Sequence, residues 1–79
     1  MPAMIDIWAQ KGVRVRAFRG ARKGRVGTVV SHPSFASWMD GKMVAQVDVD
    51  YDGSDCPPLK TFVFCLEPLS AVELLGELA

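Results

Sequence analysis

The side chains able to do chemistry in this chain are mostly cations. Arg14, Arg16, Arg19, Arg22, Lys23 and Arg25 fall within twelve residues, with Phe18 among them. Closely spaced guanidinium and ammonium groups displace counterions along a phosphate backbone, and an aromatic ring between them offers a face on which a base can stack. The same cations could instead be met by the acids of Asp48, Asp50 and Asp52, a run of charge that then serves only as a solvated face.

Catalytic and metal chemistry find less support. His32 is the single histidine, so no second imidazole is at hand for a metal, and no serine or cysteine stands in a nucleophile arrangement. Asp48-Val49-Asp50-Tyr51-Asp52-Gly53 imitates the start of a calcium loop, but the twelfth position is Leu59 where a bidentate glutamate is needed. Cys56 and Cys65 match no zinc spacing and read as free thiols, Cys65 as a small core residue and Cys56 in a loop before Pro57-Pro58. The chain reads as non-enzymatic, with no cofactor and no metal.

Charge is distributed unevenly along the chain. Residues 1–39 hold seven cations against Asp6, a net +6, and residues 40–79 hold two cations against eight acids, a net −6. A zero total therefore hides opposite halves, which suit an anionic partner, mutual satisfaction, or self-association of unlike faces into a homo-oligomer. With 79 residues and 49% hydrophobic content the chain has the makings of one soluble domain with one small core. No apolar run approaches the ~20 residues that span a bilayer, and no secretion signal opens it, so a cytoplasmic location without membrane contact is expected.

The elements that position the cations are strands. Val13, Val15 and Ala17 alternate with Arg14, Arg16 and Phe18, predicting a half-buried strand over 13–19, and a second is predicted over 25–31. Gly20 to Gly24 form the turn between them. His32-Pro33 ends the second strand, since proline has no N–H for a ladder. A loop over 34–42 then carries Phe35, Trp38 and Met39 as an apolar contact surface for a protein, unless these residues fold back to close the core. Met43 to Tyr51 show the clearest alternation in the chain and predict a third strand. Thr61 to Leu66 predict a fourth, buried on both faces. Ser70 and Glu73 form a capping-box pattern opening a short helix, with Val72, Leu74, Leu75 and Leu78 available to pack it on the body. Met4, Ile5 and Trp8 suggest a helical turn or a packed arm at the start. The sum is a mostly β protein, a small barrel of four to five strands with a short C-terminal helix.

Gly12-Val13-Arg14-Val15 followed by Lys23-Gly24-Arg25-Val26-Gly27-Thr28-Val29-Val30 resembles a KOW-type motif in an SH3-like barrel. The resemblance covers about a quarter of the chain. It implies a glycine-rich turn that presents basic residues to RNA, DNA or a nucleoprotein assembly, here Arg14, Arg16, Phe18, Arg19, Arg22, Lys23 and Arg25, with Phe35, Trp38 and Met39 as the alternative protein-binding surface. A second resemblance, of layout only, is to the small type II dihydrofolate reductases, which act as tetramers. Their glutamine and tyrosine are missing from the equivalent place, Thr61-Phe62-Val63-Phe64-Cys65-Leu66, and none of their functional residues carries over.

Overall fold

The computed structural model describes residues 8–37 and 40–78. Six short strands are present: β1 (Arg14–Ala17), β2 (Val26–Val29), β3 (Ser34–Ser37), β4 (Met43–Tyr51), β5 (Leu59–Phe62) and β6 (Leu66–Pro68), followed by the helix α1 (Ala71–Leu78). All pairings are antiparallel, in the order β3-β4-β2-β1-β6, with β5 on the other edge of β4. The protein is mostly β with one short C-terminal helix, as the alternation predicts.

β4 organises the sheet. Its second half pairs with β2, its first half with β3, and its middle with β5. The β2 and β3 registers on β4 differ by two residues, so Ser31, His32 and Pro33 bulge out of what is otherwise one continuous edge. Pro33 thus interrupts the ladder without ending it. The expected loop over 34–42 is corrected accordingly: Ser34–Ser37 is a strand. Proline at a bulge leaves no ladder bond unmade, which is why the pairing resumes after it.

The expected strand over 61–66 is also corrected. Leu59–Phe62 pairs with β4, Val63–Cys65 turns as one 3₁₀ segment, and Leu66–Pro68 pairs with β1. A straight six-residue strand would keep its pairing on one neighbour; the 3₁₀ corner moves the chain from one end of the sheet to the other and rolls it into a small barrel.

Inward-facing side chains follow the period of two. Val15, Ala17, Val29, Val47, Val49, Tyr51 and Leu66 form the core together with Ala9, and Val13, Leu59 and Val63 pack against it. Gly27 sits between Val15 of β1 and Tyr51 of β4. A Cβ there would lie 2.6 Å from the Asp50 carbonyl oxygen and 2.8 Å from Val49 Cγ1, so the glycine lets three strands close around a small centre. No helix is present at 8–12, and Ala9, rather than Trp8, supplies the buried side chain. Met4 and Ile5 lie outside the described residues. No helix among the described residues is long and apolar enough to cross a membrane.

Candidate nucleic-acid interface

The cations divide into two groups. On β1, alternation sends Arg14 and Arg16 to the outer face, and both are taken up by carboxylates. Arg14 donates to Asp52 through Nη1 at 2.9 Å and Nη2 at 2.5 Å, to Glu77 through Nε at 3.0 Å and Nη2 at 2.5 Å, and to Thr28 Oγ1 at 2.9 Å. Arg16 pairs with Glu67 at 3.3 Å and with Glu73. Hydrogen bonds from Arg14 hold the carboxyls of Asp52 and Glu77 below the usual carboxylate range. The same two partners push the Arg14 guanidinium further up, so it stays charged at every accessible pH.

Geometry explains the double clasp. Two residues along a strand advance about 6.7 Å and four along a helix about 6 Å. Arg14 and Arg16 on β1 therefore match Glu77 and Glu73 on α1, with the helix running opposite to the strand. The predicted capping box is present: Glu73 N–H donates to Ser70 Oγ at 3.2 Å, and Ser70 N–H donates to Glu73 Oε1 at 3.0 Å. The expected apolar packing of the helix is corrected. Val72, Leu75 and Leu78 are 78%, 66% and 84% exposed, and no helix residue is buried. Eight residues leave too short a stripe to reach a core already closed by Leu66 and Leu69, so ion pairs fasten the helix instead.

The second group stands on the β1–β2 turn. Gly20 and Gly24 hold positive φ of 81° and 89°, which only glycine adopts freely, and the turn closes by Gly24 N–H to Ala17 O at 2.7 Å and Ala17 N–H to Arg25 O at 2.9 Å. Arg22, Lys23 and Arg25 are exposed on it, and Arg25 reaches only the main-chain oxygen of Asp52, at 3.4 Å. The Arg19 guanidinium lies 5.0 Å from the centre of the Phe18 ring. Among the described residues none of these four cations forms an ion pair with a carboxylate. Of the acids expected to neutralise the cluster, Asp52 meets Arg14 and Asp48 meets Lys60 at 3.6 Å. The acids that complete the clasp, Glu67, Glu73 and Glu77, are distant in sequence; the capping box was the signal that placed Glu73 on a helix.

Phe35 lies apart from both groups. It is 46% exposed on β3, on the face shared with Ala45 and Met43 where the β3–β4 hairpin projects past the barrel, and it does not close the core. Trp38 and Met39 lie outside the described residues. Both cysteines are free, Cys56 exposed and Cys65 half-buried at the 3₁₀ corner rather than in the core. Among the described residues no cluster of His, Cys, Asp and Glu could hold a metal.

No protein-family model matches the chain, and no solved structure matches it. Over 65 residues it is 32% identical to the mycobactin import ATP-binding/permease protein IrtB of Mycobacterium tuberculosis, and equally to that of Mycobacterium bovis. The aligned stretch covers 71% of this chain and 11% of the transporter, so the chain spans about a tenth of the length of the curated relatives it matches.

Proposed function

We propose that the protein is a non-catalytic binding module, a KOW-like SH3-type barrel that contacts the phosphate backbone of RNA or DNA through its β1–β2 turn. One observation carries the reading. In a chain whose charges sum to zero, the cations of the turn meet no carboxylate among the described residues, while those of β1, a few residues away, each meet two. Arg19, Arg22, Lys23 and Arg25 supply the charge, and Phe18 an aromatic face beside it. Arg14 and Arg16 hold the scaffold. The similarity to a tenth of a transporter brings no transport activity with it.

The test is fluorescence anisotropy with short labelled RNA and DNA strands at about 50 and 200 mM salt. Four phosphate contacts give a log–log salt slope of about −3. No binding at the lower salt, or binding that ignores salt, overturns the reading. A second reading, protein contact or self-association through the β3–β4 hairpin, draws on the exposed Phe35; loss of a pulled-down partner, or of a dimer in sedimentation, on Phe35→Ala is its signature.

A further inference from the structure

A groove of about 340 Å³ runs between the β1–β2 turn and β5, lined by Arg19 and Arg22 on one side, Leu59–Phe62 on the other, and Cys65 at its end. All four residues of β5 line it, those facing the barrel interior and those facing out. That happens when a groove follows the edge of a strand rather than a face of it.

The hydrogen-bond phase of β4 shows which main-chain groups reach this edge. Asp48 accepts from Val30 N–H at 2.9 Å and donates its own N–H to Ser31 Oγ at 2.9 Å, so its main chain is spent on the β2 side. Direction alternates along an antiparallel strand, and Val47 and Val49 therefore face β5, opposite Thr61 and Leu59. Lys60, opposite Asp48, turns its N–H and C=O away from β4 and into the groove. Its side chain is drawn off to the outer face by Asp48, and among the described residues no strand pairs with this edge.

We infer that this groove takes an extended acidic peptide, which adds to β5 as a further strand. Lys60 would supply the paired N–H and C=O, Leu59 and Phe62 the apolar walls, and Arg19 and Arg22 would meet carboxylate side chains of the peptide across the groove. Charge selects the partner: the rim is cationic, and a strand edge offers main-chain bonds that a nucleic acid cannot complete in register. The site shares Arg19 and Arg22 with the phosphate contacts proposed for the turn, and differs from them in depending on the β5 main chain.

The experiment is an amide-shift titration of the isotope-labelled full chain with a capped peptide of alternating glutamate and valine. The Lys60 amide is expected to shift and to gain protection from hydrogen exchange, together with shifts at Arg19 and Arg22. The double variant R19E/R22E, on an exposed turn, weakens the complex about tenfold or more. Methylating alternate peptide nitrogens abolishes it. An unmoved Lys60 amide, equal binding of the lysine–valine counterpart, or a Lys60 shift produced by oligothymidylate and not by the peptide would each overturn the assignment.

Discussion

Arg14 and Arg16 share one basic run with Arg19, Arg22, Lys23 and Arg25, yet the two sets end in opposite situations. The first pair lies on a strand whose outward-facing arginines reach the acids of α1, and each guanidinium meets two carboxylates. The second set stands on a turn where, among the described residues, no carboxylate pairs with a cation. Position relative to the helix, and not local sequence, separates a structural arginine from one available to a partner. Exposed ion pairs contribute little singly, but a bidentate guanidinium shared between Asp52 and Glu77, only 22% exposed, is the geometry in which they contribute most.

The largest expected effect removes the frame common to both sets. Gly27→Ala forces a Cβ against β4 main chain and Val49, costing about 3 kcal/mol, and a thermal melt should show the loss along with the ordered spectrum of both regions. Next comes the charge reversal R22E/K23E. It should lower nucleic-acid affinity by about tenfold or more and flatten the salt slope by roughly 1.5, with stability within about 0.5 kcal/mol of the parent. If stability falls instead, the turn belongs with the scaffold and the contrast fails.

Arg14→Ala inverts that pattern. It should cost about 1 kcal/mol in a denaturant titration while oligonucleotide binding is unchanged. Glu73→Ala breaks both the capping box and the Arg16 pair, and should lower helical circular dichroism with a loss of about 1 kcal/mol.

Acid gives the smallest effect and the sharpest separation. The folded-state carboxyls of Asp52 and Glu77 are depressed, so their contribution is fully present above the ordinary carboxylate values near about 4 and is lost as pH falls through the lower folded values. Melting temperature should decline over that window, and the part owed to Arg14 should vanish in Arg14→Ala. A decline of equal size in both proteins would show that the clasp is not the acid-sensitive element.

Much of the architecture could be read from alternation. Met43 to Tyr51 is unambiguous because every second residue is apolar over nine positions, and Ser70 with Glu73 marks the helix start because a capping box is a local reciprocal bond. Ser34–Ser37 carries no strand signal, since two serines, an alanine and an exposed phenylalanine present no buried face; their pairing comes from β4, which extends past the barrel. Thr61 to Leu66 concealed a corner, because an apolar run has no period to show where a strand ends.

Residue order alone therefore determined the inward and outward sides of β1 and β4, the glycine turn and the cap of the helix. Each depends on neighbours within a few positions, through the period of the pleat or a short-range hydrogen bond. Tertiary structure decided that Gly27 must lack a Cβ, that α1 is held by charge with its leucines exposed, and that Arg14 and Arg16 meet carboxylates while, among the described residues, the cations of the turn meet none. Those outcomes rest on contacts between residues up to 63 positions apart, such as Arg14 with Glu77, which only the path of the folded chain brings together.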